Sequence, residues 1–426
     1  MYRIERGTCE KEEYEGVKES LVLFFHTHAM LYQPDERKAS STGVVIMHCD
    51  ANYMGLAICG RLADMGIPVL AIESTEGGEI EHKFEDLDQG VRFMKSLPGI
   101  KKVALLGHSG GATLITAYQA IAENGPDIFR TDRMIYRTTV RNPLEPADLV
   151  MLVDANYGNA VMALISLDPA VTEEGNANKL DPAFDLYAPE NGYSPEGAKY
   201  SAEFIEKYQR AQVKRYHELI AIAKERLAAL QRGDGNYFED EPFIIAAANQ
   251  PKPNNRLLPQ DMRLLSHTKE AHDLVHADGS VTHEVIRCVR VPEFDRSFSS
   301  FYGMGANKNT VKGFLSSQAI QVDESFGITE DDVKGVDWKS SYASPIGNIE
   351  YIKAPLLAIG LTGSYEYLAA EMICEHASME DKTLLFIHGA DHMFTPNRRA
   401  EKFPGEFGDT ETALYGQIVR WLHGHE

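Results

Sequence analysis

Short apolar runs rich in β-branched residues alternate with amphipathic helical stretches toward both ends of this chain, and the alternation lapses in between. From Thr42 the chain reads TGVVIMH, followed by a helix-like stretch from Tyr53 to Met65; IPVLAIES from Ile67 precedes FEDLDQGVRFMKSL, and KKVALLG from Lys101 precedes GGATLITAYQAIAEN. Such alternation calls for a parallel sheet covered on both faces by its crossover helices. ADLVMLVDA from Ala147 reads as a further buried strand, and the pattern resumes with APLLAIG from Ala354, YLAAEMICEHA, KTLLFIHG and the helical ALYGQIVRWLHG. The expected architecture is α/β: one core made of residues 1–165 and 346–426, with residues 166–345 inserted as a cap or lid.

Within the insertion, Ser201 to Gly233 reads as one long helix, because charged and apolar residues mix at helical spacing. The rest, including NQPKPNN and FDRSFSSFYGMG, suggests long loops, so the lid is expected to be mostly helical. HTKEAHDLVHADGSVTHE carries four histidines, and His272 and His276 would share one helical face. No glutamate base lies between them as in zinc proteases, so the segment reads as solvated lid and no metal site is assigned. GMGAN at Gly303 lacks the preceding apolar strand of a phosphate-binding loop and reads as a turn.

With 426 residues, 43% of them hydrophobic, the chain can bury a large core. A formal net charge of -21 opposes binding to nucleic acid or to anionic lipid. Five scattered cysteines without a Cys-x-x-Cys pair read as reduced thiols, and the charged opening MYRIERGTCEKEEYEGVKES lacks the apolar stretch of a secretory signal. No run approaches a membrane span. The expectation is a cytoplasmic protein whose partner is a small molecule and which needs no cofactor; a homo-oligomer is compatible with the composition.

Gly107-His108-Ser109-Gly110-Gly111 fits G-x-S-x-G directly between an apolar strand and a helix. A sharp turn there exposes the serine oxygen and needs small neighbours, which makes Ser109 the expected nucleophile. A serine hydroxyl is weak near neutral pH and needs a positioned base. His392, in GADHMF just after the strand KTLLFIHG, is the expected base; His388 ends that strand and points elsewhere, and His108 is held by the turn. The imidazole needs a carboxylate to fix its tautomer. Glu366, in LTGSYEY past the strand PLLAIG, is the first candidate; Asp154, ending the strand before the insertion, is the second, and Asp391 is too close in sequence. An oxyanion would be met by the Gly110 amide and by Cys49 or Asp50 in HCDANYMG, with Asn52, Tyr53 and His108 near the pocket.

The strand order, the GHSGG turn, the later acid loop and the GADHMF loop resemble the α/β-hydrolase superfamily over about two thirds of the chain. The resemblance implies a triad of Ser109, Glu366 and His392, an oxyanion hole at Gly110, and a lid above the site. It departs from many members in reading HCDAN where they carry a histidine followed by glycines, and in using glutamate as the acid. The expected reaction is hydrolysis of an ester, lactone or amide through an acyl-enzyme. The alternatives are carbon–carbon bond hydrolysis by the same triad, or a noncatalytic ligand receptor on the same fold.

Overall fold

TGVVI, VLAI, LVMLVDA and LLAIGL are buried at every residue, as strands covered on both faces must be. They form the middle of the sheet in the computed structural model, which describes residues 14, 16–74, 77–249, 256–293 and 302–426 and the strand backbone at 2–5 and 8–11. A hairpin, β1 (Tyr2–Glu5) and β2 (Thr8–Lys11), and an antiparallel pair, β3 (Lys18–Leu23) and β4 (His28–Gln33), come first. The alternating part follows as β5 (Thr42–Ile46), α1 (Ala57–Asp64), β6 (Val69–Ile72), α2 (His82–Ser96), β7 (Lys102–Ser109), α3 (Gly111–Asn124), β8 (Leu149–Ala155) and α4 (Asn159–Ile165). The intervening segment carries α5 (Ala202–Arg232), β9 (Pro242–Ile245), β10 (His267–Val275), β11 (Val281–Arg287), α6 (Tyr302–Gly305), β12 (Asn307–Thr310), α7 (Val311–Ser317), β13 (Gln321–Ile328) and β14 (Val333–Asp337). Then come α8 (Pro345–Asn348), β15 (Leu356–Leu361), α9 (Ala369–His376), β16 (Lys382–Ile387) and α10 (Thr410–Gly424).

The central sheet has ten strands in the order β11-β10-β16-β15-β8-β7-β5-β6-β4-β3. Pairing is parallel from β6 through β10, and antiparallel at both margins. From β5 the chain first moves outward to β6 and then returns to the other side of β5 as β7. This reversal opens a crevice beyond the carboxyl ends of β5 and β7, where ligands of open α/β sheets bind. One apolar cluster under α1 and α10 covers one face of the sheet, and a larger one under α2, α3 and α9 covers the other and runs on into α5 of the insertion.

Helix α5 begins with the Ser201 hydroxyl accepting from the Phe204 amide and ends at Gly233 in the left-handed region (φ 78°), so its bounds are those its caps dictate. The expected mostly helical lid needs two corrections. Six strands, β9 to β14, accompany α5 and α7 in this segment. The hairpin His267–Arg287 extends the central sheet by pairing β10 with β16. Its histidines therefore share no helical face: His272 meets Glu371 at 2.8 Å, and His276 meets Thr282 at 3.2 Å. GMGAN forms the single turn α6 leading into β12. NQPKPNN and FDRSFSSFYGMG fall largely outside the described residues. Among the described residues no helix is long and apolar enough to cross a membrane.

Candidate active site

The turn from β7 into α3 puts Ser109 at φ 53°, a conformation that costs an L-residue energy and that small neighbours make attainable. A Cβ on Gly107 would lie 2.8 Å from the Ala112 Cα, so strand and helix meet too closely for any side chain there. A Cβ on Gly110 would lie 2.7 Å from the Cys49 sulfur and 3.2 Å from His48 Nε2. Glycine at this position lets the loop after β5 pack directly on the turn.

Asp154 sits at a second strained position, φ 44°, at the end of β8. The register between β7 and β8 shifts there, from His108 opposite Val153 to Ser109 opposite Ala155, so Asp154 is the bulged residue. Its fully buried carboxylate accepts from the Leu361 amide through Oδ1 (3.1 Å) and meets His392 Nδ1 through Oδ2 (2.6 Å). Glu366, also buried, lies 3.7 Å from the same nitrogen, and its Oε2 accepts from the Ser109 hydroxyl at 3.4 Å. Of the two carboxylates, the second candidate thus makes the shorter contact with the imidazole, and the first touches both serine and histidine. Among the described residues no hydrogen bond joins Ser109 to His392 in this resting arrangement.

His392 is presented by a tight loop in which the Asp391 carboxylate accepts from the amides of Met393 (2.9 Å) and Thr395 (3.0 Å). Asp391 thus shapes the loop. His108, buried within β7, bonds the His392 carbonyl through Nε2 (2.8 Å) and Tyr53 through Nδ1 (2.8 Å), so it braces the loop from below and does not line the pocket. Burial works against a charge on His392, but Glu366, Asp154 and Asp391 outweigh it and raise its pKa to about 9. Burial raises the Glu366 carboxyl as well. The ligand atoms of Asp154, Glu366 and His392 lie within 4.8 Å of one another, close enough to share a cation or a proton.

The loop after β5 differs from expectation at two residues. The Asp50 amide, a candidate oxyanion donor, donates instead to His48 Nδ1 (3.0 Å), as does the Ala51 amide (2.9 Å). The Cys49 amide is left without a partner among the described residues, as is that of Gly110. Asn52 is exposed and reaches Glu73 (3.4 Å), while Tyr53 does line the pocket. The loop is anchored from beneath: Lys83 donates to the Cys49 carbonyl and lies 3.6 Å from Asp50, and Asn159 donates to the Cys49 sulfur (3.0 Å).

These groups open on a cavity of about 470 Å³ whose floor includes Ser109, Gly110, His48, Tyr53, Glu366 and His392. Its upper wall comes from the insertion, through Asn249, Arg256, Asn307, Lys308, Asn309 and Gln318. Sequence reasoning missed these residues, and His48 and Asn159 with them. For His48 the signal was present, in the first residue of the loop after an apolar strand; the insertion residues follow no pattern.

The sequence matches no protein-family model, and no curated protein is similar to it. Solved structures similar to it over nearly the whole chain include the siderophore hydrolase EstB from Aspergillus fumigatus, 10% identical with a TM-score of 0.46, covering 96% of this chain and 98% of that chain. DcsB in complex with its substrate analogue is 11% identical with a TM-score of 0.44 at the same coverage of 96% and 98%. The α/β hydrolase GrgF from Penicillium sp. sh18 is 13% identical with a TM-score of 0.41, again covering 96% of this chain and 98% of that chain.

Proposed function

We propose that this chain, which has the α/β-hydrolase fold by its strand order and the turn from β7 into α3, is a serine hydrolase of small polar esters, lactones or amides. One observation carries the reading: Ser109, strained at the strand-to-helix turn, shares a cavity with an imidazole whose Nδ1 is gripped by a buried carboxylate 2.6 Å away. About a third of the His392 side chain (34%) is open, which leaves the ring room to turn toward the serine once substrate enters.

In the proposed reaction Ser109 Oγ attacks the carbonyl and His392 takes its proton. Asp154 holds Nδ1–H and stabilises the imidazolium. The Gly110 and Cys49 amides meet the oxyanion. His392 then returns the proton to the leaving group, and water repeats the sequence to release the acid. Glu366 holds the hydroxyl at rest, and its bond to Oγ must give way to His392 before attack.

Fluorophosphonate labelling followed by peptide mass spectrometry tests the assignment, with Ser109→Ala in parallel. A single adduct on Ser109, absent from the variant, is expected. An adduct on another residue, or none at concentrations that label ordinary serine hydrolases, ends the proposal.

A further inference from the structure

Arg256 stands out among the buried charges. It is 2% exposed, it belongs to the wall of the cavity that holds Ser109, and among the described residues no carboxylate comes within ion-pair distance of it. Its Nε donates to the Ser166 hydroxyl (3.0 Å) and its Nη1 to the Tyr365 hydroxyl. Both partners are neutral. The remaining nitrogen, Nη2, is buried without a partner. A guanidinium cannot shed its proton at any ordinary pH; Glu366 feels its charge, but no carboxylate is in contact with it, so the desolvation of this buried cation is only partly offset and an anionic ligand would complete the compensation. Asn249 lines the same wall, and its Oδ1 is likewise buried and unpartnered. The neighbouring Asn156, Asn309 and Gln318 offer hydrogen-bonding groups to a ligand, beside the apolar side chains of Met162 and Met393.

Resting on the hydrolase reading above, we infer that the substrate carries a carboxylate on the group bound beneath the insertion, and that Arg256 is the residue that selects it. The charge already present in the cavity favours a monoanion. Asp154 and Glu366 both lie at the reacting end, so a phosphate dianion would add two negative charges where one free guanidinium nitrogen can answer only part of them. A carboxylate needs fewer donors: Nη2 supplies one, and the unpartnered Asn249 Oδ1, an acceptor, is left for a hydroxyl or N–H of the same ligand.

The test pairs p-nitrophenyl half-esters of succinate, glutarate and adipate with neutral p-nitrophenyl esters of matched length. In the wild-type protein the best half-ester should exceed its neutral partner in kcat/KM by about tenfold or more, the scale of one hydrogen bond to a charged group. In Arg256→Met that ratio should fall to one or below, and Arg256→Lys should restore part of it. A wild-type ratio at or below one overturns the inference, as does a preference that survives Arg256→Met in protein with a cooperative melt. If the methionine variant does not fold, the wild-type ratio and the lysine variant decide. Calorimetry on Ser109→Ala separates this inference from the hydrolase reading. Binding of the dicarboxylic monoamides, with no binding of the neutral amides, would sustain the anion site even if no ester were turned over. A labelled Ser109 combined with equal binding of charged and neutral amides would overturn the anion site alone.

Discussion

At His392 two carboxylates compete for one ring nitrogen, Asp154 at 2.6 Å and Glu366 at 3.7 Å, and their combined charge outweighs burial to lift the ring to about pKa 9. A general base works only when neutral. At pH 7 the resting protein therefore holds mostly imidazolium, and kcat/KM for a neutral ester should climb with pH well beyond the ordinary imidazole value of about 6.5. Glu366→Gln removes one of the carboxylate charges holding the proton on the ring, so its rising limb should move to lower pH with a modest change at the plateau. Asp154→Asn should lower kcat by about 10³- to 10⁴-fold, because the tautomer is lost as well as the charge. Profiles in which Glu366→Gln leaves the limb where it was, or costs as much at the plateau as Asp154→Asn, would reverse the two roles. The serine, the histidine and both carboxylates were legible in the sequence because each follows an apolar strand, at the edge where a parallel sheet gathers its loops. Which of the two carboxylates comes nearer the imidazole was not. It depends on the bulge that turns Asp154 inward at the end of β8, and no composition or spacing encodes a one-residue register shift.

Two glycines at the turn between β7 and α3 serve different contacts, and substitution should separate them. Gly107→Ala would press a methyl group into the backbone of Ala112, where neither element can yield, so it should destabilise the fold by about 2 kcal/mol or more and lower the melting temperature. Gly110→Ala would meet the Cys49 side chain and the edge of His48, pushing away the loop that carries the Cys49 amide, the proposed second oxyanion donor. Its larger effect should fall on kcat, by about 10²-fold or more if one donor is displaced, with little change in melting temperature. Equal losses of stability in the two variants, with activity per folded molecule retained, would contradict that division. At this scale the strands and helices of the core follow from their periodicity, and α5 from its caps. The β10–β11 hairpin did not emerge because β11 is an edge strand exposed at nearly every residue, which removes the apolar half of the strand pattern. Its turn was in view all the same: Asp278-Gly279, with Gly279 at φ 84°, is a favoured hairpin connection.

The insertion is bound to the core more tightly than a lid hinged over a pocket would be. A single apolar cluster runs from Val45, Leu105 and Leu152 of the sheet through Tyr157 and Val161 to Tyr208, Tyr216 and Leu219 of α5, and on to Phe314 of α7. Tyr216 ties the layers further, its hydroxyl donating to the Gln318 carbonyl (2.7 Å), lying 3.2 Å from the Ala160 carbonyl and accepting from the Ile320 amide (3.0 Å). The hairpin inside the insertion is also a pair of strands in the central sheet, so removing residues 166–345 would strip an edge from the core as well as a roof from the cavity. Shared burial of this kind couples the free energies of its parts, and the chain should unfold in one transition in which tryptophan fluorescence, far-ultraviolet circular dichroism and calorimetry coincide. Ligand in the cavity should shift that transition as a whole, because wall and floor come from the two halves. Two separated transitions, with only the earlier one moved by ligand, would show instead that the insertion melts by itself and that the cavity opens by local unfolding of its roof.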